Sequence, residues 1–178
     1  MTALQQTPTT EFAVALRETM LQGLENEMLI VKKVLAAVPD AKREYRPDPK
    51  ARTAWELAWH LASSEVQLLD EIADHKLNME ARFKDEPKDI ADLVFWYEKN
   101  FAHAMARVRA MTPEQLITPL TFLHDFNFPA VLYFGLVNNH SLHHRGQLAV
   151  YLRPMGSKVP SIHGKSADEP WKGGASFT

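Results

Sequence analysis

A chain of 178 residues is long enough to bury an apolar core in one domain without disulfides or a structural metal. Apolar residues make up 46% of it and glycines number only 7, a composition that argues against a turn-rich all-β protein and favours long helices. The net charge of -2, with no run of Lys and Arg, argues against a nucleic-acid partner. The absence of cysteine excludes thiolate ligands and a cysteine nucleophile, so metal chemistry must use histidines and carboxylates.

The first ten residues carry neither a basic region nor an apolar run, so they do not indicate a secretory signal. The longest apolar runs of the chain are too short to span a bilayer. We therefore expect a cytoplasmic protein with no membrane partner.

The first predicted helix covers about residues 10–38. Thr9 or Thr10 can cap its start, and Pro39 ends it. Its apolar positions recur every three or four residues: Phe12, Leu16, Met20, Leu24, Met28, Val31 and Leu35. Residues 40–52, with two prolines among charges, should form a surface connection.

The second predicted helix covers about residues 54–75. Thr53 followed by Glu56 forms a capping box, in which each side chain satisfies a free backbone N–H at the helix start. The inward stripe contains Leu57, Leu61, Ser64, Leu68 and Ile72.

A third helix is predicted over about residues 88–111, after Pro87. Its core face contains Ile90, Leu93, Val94, Tyr97, Phe101, Ala104 and Val108. Residues 114–128 break into short apolar pieces, which predicts an ordered, non-helical connection that crosses the bundle. Phe122, Phe126 and Phe128 should hold that connection in place.

The fourth predicted helix covers about residues 129–153, with Pro129 in its first turn and Pro154 and Gly156 after its end. Residues 157–178 should form an extended tail that is ordered only where Val159, Pro160 and Ile162 pack. The sequence thus predicts one all-α domain over residues 1–178, a four-helix bundle with one long crossover connection.

Histidines supply the candidate chemistry. His140 and His144 are one helical turn apart and share the apolar stripe of the fourth helix, so both rings should point into the bundle. His143 lies on the flank of that stripe. His60, on the second helix, is the third candidate ligand, and three imidazoles would leave positions open for water on a borderline cation such as zinc or nickel. Alternatively, His60 and His140 are ordinary helix histidines, hydrogen-bonded at the edge of the core.

Other polar residues have simpler interpretations. His75, His103, His124 and His163 are expected at the surface or in turns, and Glu65, five positions beyond His60, is expected to be a solvated acid. Arg145 and Gln147 could hydrogen-bond the ligating rings, or form a salt bridge and an exposed amide. Trp55, Trp59 and residues 95–97 could line a ligand cavity, although helix aromatics more often belong to the core or a dimer interface.

Residues 140–148, followed by 151–153 and Gly156, closely resemble the signature of the DinB family, also called DinB/YfiT-like metalloenzymes. Residues 55–61, around His60, and 159–162 also match. Together these matches extend over about residues 50–169. One departure is His163, which stands where the family commonly has a tyrosine before a glycine.

The resemblance implies an up-down-down-up bundle, frequent homodimers and a divalent metal held by His60, His140 and His144, with His143 left out. It also implies a possible reaction, because some relatives transfer thiols such as bacillithiol, mycothiol or glutathione to electrophiles. Many members have no established reaction.

Three functions follow from this pattern. The first is a metal-dependent enzyme that transfers a low-molecular-weight thiol to a small electrophile. The second is a metal-dependent hydrolase that uses the same site. The third is a non-catalytic binding module with a structural or vestigial metal, which is supported by the lack of a separate general acid or base. The sequence identifies no catalytic residue beyond the metal ligands.

Overall fold

The computed structural model describes residues 8–78, 80, 83–84 and 86–170. Five α-helices lie in this part of the chain: α1 (Thr10–Ala36), α2 (Ala54–Ala73), α3 (Ile90–Arg109), α4 (Pro113–Ile117) and α5 (Tyr133–Leu152). Two short strands, β1 (Pro119–Phe122) and β2 (Phe126–Pro129), pair antiparallel. Single 3₁₀ turns cover Asp40–Lys42 and Ala130–Leu132. The protein is therefore mostly helical.

The helix starts follow from side chains that bind free backbone N–H groups. The Thr9 hydroxyl accepts from the Phe12 N–H at the start of α1, and Asp89 caps α3 in the same way. Thr53 and Glu56 form the predicted capping box of α2. These caps fix where three of the four long helices begin.

The four long helices share one apolar core. Both α1 and α2 pack against α3 and against α5. Each contributes large side chains that are at most 1% exposed, among them Leu24, Leu61, Phe101 and Phe134. One member of the predicted stripe of α1 is an exception, because Phe12 is 59% exposed. This arrangement places α2 beside α5, the two helices that carry the candidate ligands.

The connection between α3 and α5 differs from the prediction in two ways, because it contains a short helix, where a non-helical segment was expected, and two strands, in a domain expected to be all-α. Residues 113–117 form α4, and the paired strands follow as a β-hairpin. Pro129 ends β2 instead of beginning the last helix, which starts at Tyr133 after a 3₁₀ turn. The Tyr133 hydroxyl donates to the backbone carbonyls of Leu120 (2.8 Å) and Phe126 (3.0 Å), and so attaches the hairpin to α5.

The tail after α5 packs against the core at two of the three predicted residues. Val159 and Ile162 lie against the core, and the Ser157 hydroxyl donates to the Ala37 carbonyl at 2.6 Å. The part of the predicted tail over 171–178 lies outside the described residues. In the described ranges, no helix combines the length and the apolarity needed to cross a bilayer.

Candidate metal centre

His60 on α2 and His140 and His144 on α5 come together between the two helices. Each offers one ring nitrogen to a group in which all three nitrogens lie within 4.8 Å of one another. Nε2 of His60 and Nε2 of His144 are 3.1 Å apart, and the His140 ring centroid lies 5.1 Å from that of His60 and 4.4 Å from that of His144. The structure thus brings together the three residues that the sequence predicts as metal ligands.

Two neighbouring side chains orient these rings. Ser64 Oγ lies 3.1 Å from Nδ1 of His60, and Gln147 Oε1 lies 2.8 Å from Nδ1 of His144. With the ring protons on Nδ1, both imidazoles donate to these oxygens and keep their Nε2 lone pairs for a shared ion. The possible ring contact foreseen for Gln147 is therefore present, and Ser64 adds a second contact of the same kind.

Burial keeps the cluster uncharged. It lowers the pKa of His60 to about 3 and that of His140 to about 4, and it also lowers the pKa of His144. The Arg52 guanidinium is a further cause of lowered pKa in all three rings. At neutral pH the imidazoles are therefore in the unprotonated form that a metal ion requires.

The donor set fits a borderline divalent cation. Tetrahedral zinc with Zn–N bonds of about 2.0–2.1 Å would hold its nitrogen ligands about 3.3 Å apart, close to the separation of the two Nε2 atoms. Nδ1 of His140 is buried without a hydrogen-bond partner in the described part of the chain. A cluster of three neutral imidazoles, with one buried nitrogen unsatisfied, is a site that an ion would complete.

The remaining histidines stay out of this cluster. His143 is exposed, and its Nε2 lies 3.1 Å from Nε2 of Gln147. His103, His124 and His163 are exposed, as expected for surface or turn residues. His75 is half-buried just after α2, where it adopts a positive φ of 57°.

Two charged residues beside the cluster are buried. Glu65 is 0% exposed, so the expectation of a solvated acid was wrong. The Tyr97 hydroxyl donates to its Oε2 at 2.6 Å. Arg145, only 2% exposed, forms a salt bridge with Glu27 of α1, and its Nη2 lies 2.8 Å from Nε2 of His163 in the tail. Arg145 therefore takes the salt-bridge role foreseen for it and does not contact the ligating rings.

An aromatic cavity of about 330 Å³ adjoins the cluster. His60 and His140 line it together with Trp59, Phe83, Phe122, Leu68 and Leu136. The Trp59 ring packs edge-on against Trp96 at 4.8 Å between centroids. Among the aromatic residues that the sequence suggested as the lining of a ligand cavity, Trp59 does line this one. Tyr97 instead lies in the core, and Phe95 is 69% exposed.

Sequence reasoning missed two of the residues that surround the site. Ser64 is four positions after His60, a spacing that could have indicated a contact with the ring. Arg52 precedes the cap of α2, where no helical periodicity applies, and only the folded chain brings its charge near the histidines.

The fold and the cluster together place this protein in the class of helical proteins that have a candidate three-histidine metal centre between neighbouring helices. A family model described as the DinB superfamily matches residues 30–148. The chain belongs to the DinB superfamily, and this confirms the resemblance seen in the sequence. No match was found among curated proteins.

Solved structures agree with this assignment at the level of the fold. A DinB-like protein from Bacillus cereus has a TM-score of 0.70 and 23% identity, with 82% of this chain and 97% of that chain covered. A DinB-like protein from Bacillus subtilis has a TM-score of 0.68 and 19% identity, with 81% and 97% covered. At these identities the similarity is informative about the fold alone.

Proposed function

We propose that this protein is a metal-dependent enzyme that transfers a low-molecular-weight thiol to a small electrophile. The observation that carries the proposal is the cluster of His60, His140 and His144, held neutral by burial and open to the aromatic cavity. A bound divalent ion would supply Lewis acidity, which lowers the pKa of a thiol or of water.

The chain's own residues have three tasks in this reaction. The three histidines hold the ion through neutral nitrogens, and Ser64 and Gln147 fix the orientation of two of the rings. The apolar walls of the aromatic cavity, which include Trp59 and Leu136, bind the electrophile and exclude water.

The chemistry requires no other cofactor. The thiol loses its proton to solvent, and a sulfur lone pair forms a new bond to the electrophilic carbon. The leaving group departs with the electron pair of the bond that breaks, so no oxidant or reductant is needed.

Metal content tests the first part of the proposal. We expect the untagged protein to purify with about one zinc or nickel ion per chain by elemental analysis, since three imidazoles leave room for one ion. His60→Ala and His144→Ala should lose that metal. His143→Ala is the matched control and should keep it, because its ring lies outside the cluster. Metal far below one ion per chain, and unchanged by these substitutions, would contradict the proposal.

Turnover tests the second part. The metal-loaded protein should catalyse the reaction of at least one thiol with chlorodinitrobenzene or monochlorobimane, and His60→Ala should not. A metal-loaded protein that is inactive with every thiol but hydrolyses activated esters would favour the hydrolase. Inactivity in both assays would favour the binding module.

A further inference from the structure

A second cavity lies near the histidine cluster, and it differs in character from the aromatic cavity. This cationic groove, of about 680 Å³, is lined by Lys50, Arg52, Leu57, Gln147 and Tyr151, together with Ala51 and Val150. It shares no lining residue with the aromatic cavity. Its lining contains two cations and, within the described ranges, no acid.

Gln147 connects the groove to the candidate metal centre. The same side chain lines the groove and places Oε1 2.8 Å from Nδ1 of His144. Leu57, one helical turn before His60 on α2, lines the groove as well. A ligand in the groove would therefore lie beside Gln147, which orients the His144 ring, and one helical turn from His60.

Arg52 has a positive charge that also acts on the Glu56 carboxylate in the capping box of α2. Its side chain is exposed, and it makes no hydrogen bond or ion pair with any residue in the described part of the chain. Its charge nevertheless acts on the cluster, since it lowers the pKa of all three histidines. A cation in this position repels a metal ion, and an anionic ligand between the two would offset that repulsion.

We propose that the cationic groove binds the carboxylate of an anionic thiol substrate, with Arg52 as its ion-pair partner. The inference rests on the proposed function and names the class of thiol, one that carries a carboxylate. A guanidinium suits this role because its planar donors match the two carboxylate oxygens. The two substrates then have separate places, the anionic thiol in the groove and the apolar electrophile in the aromatic cavity.

The test compares two thiols of nearly the same shape, N-acetylcysteine, which carries a carboxylate, and N-acetylcysteine amide, in which a neutral carboxamide replaces it. Their affinities for the metal-loaded protein are measured by calorimetry. We expect wild type to bind the carboxylate about tenfold more tightly than the amide, as one charge-assisted contact allows. Arg52→Gln should bind both equally, and Arg52→Lys should keep part of the preference. Arg46→Gln, which removes an exposed arginine of the same connection outside the groove, should behave as wild type.

The outcomes separate this inference from the proposed function. Equal affinity of wild type for the two thiols, or a preference that persists in Arg52→Gln, would overturn the role of the groove while thiol binding itself stood. A metal-loaded protein that binds neither thiol would overturn the proposed transferase and the groove with it. A preference that disappears in Arg52→Gln and weakens with added salt supports the inference.

Discussion

At the scale of single residues, the candidate centre depends on contacts that orient its ligands as much as on the ligands themselves. Nδ1 of His60 and of His144 each have an oxygen partner. A ring held in one tautomer and one orientation loses less entropy when it binds an ion. Ser64 and Gln147 should therefore affect the affinity for the metal ion although neither side chain would bind the ion itself.

Gln147→Leu tests this role. We expect the variant to fold normally, since Gln147 is exposed, and to bind zinc about 10–100-fold more weakly, because the proton on Nδ1 of His144 loses its acceptor. Competition with a chromogenic chelator measures the affinity. Gln22→Leu, at an exposed position of α1, is the control. Zinc affinity equal to wild type would mean that packing alone orients the ring.

The sequence predicted the ligands better than their surroundings. The spacing of His140 and His144 placed both rings on the inner face of one helix, and His60 was the third candidate. The family signature favoured these three residues over ordinary helix histidines and left out His143. Glu65 was misjudged because the prediction assumed a single inward stripe. Since α2 packs against both α3 and α5, its buried arc is wider than one stripe and includes Glu65, Val66 and Leu69.

At the scale of the elements, caps and helical periodicity predicted the long helices to within a few residues. The hairpin after α4 gave no such signal. Its turn places Leu123 and His124 at φ values of 52° and 64°, a conformation that glycine and asparagine adopt most often. Because neither residue is present at these positions, the sequence did not indicate the turn. Strands of four residues are also too short for an alternating pattern to stand out.

The capping box of α2 gives a prediction for this scale. Thr53 Oγ1 accepts from the Glu56 N–H at 3.1 Å, and Glu56 Oε2 accepts from the Thr53 N–H at 2.7 Å. Thr53→Ala should lower the free energy of unfolding by about 1 kcal/mol, as measured by urea denaturation, because it leaves a helix donor without a partner. Thr19→Ala, at an exposed position within α1, should change it by less than about 0.5 kcal/mol. Equal effects would show that the cap contributes nothing specific.

At the scale of the whole molecule, buried polar contacts join the four long helices. Glu65 of α2 accepts from Tyr97 of α3, and Arg145 of α5 pairs with Glu27 of α1. No pattern in the sequence predicts such pairs, because each joins residues that are far apart in the chain. The up-down-down-up order and the homodimer implied by the family resemblance stay predictions.

Glu65 makes the stability of the whole fold depend on pH. Burial raises its pKa from 4.5 to about 7, and the hydrogen bond from Tyr97 only partly opposes this rise. Between these two values the folded protein holds a proton that the unfolded chain releases. Stability from this residue is therefore fully present below about pH 4.5 and is lost as the pH rises towards 7.

Glu65→Gln removes that dependence, because the amide keeps the shape of the protonated acid and never ionises. Relative to wild type, the variant should gain about 2 kcal/mol in free energy of unfolding between pH 5 and pH 8. Urea denaturation of metal-free protein at both values measures the gain. Glu98→Gln, which alters an exposed acid on α3, controls for general charge effects. If wild type and Glu65→Gln changed in parallel across this range, Glu65 would be ionised in the folded protein, and Arg145 would compensate its charge despite the burial.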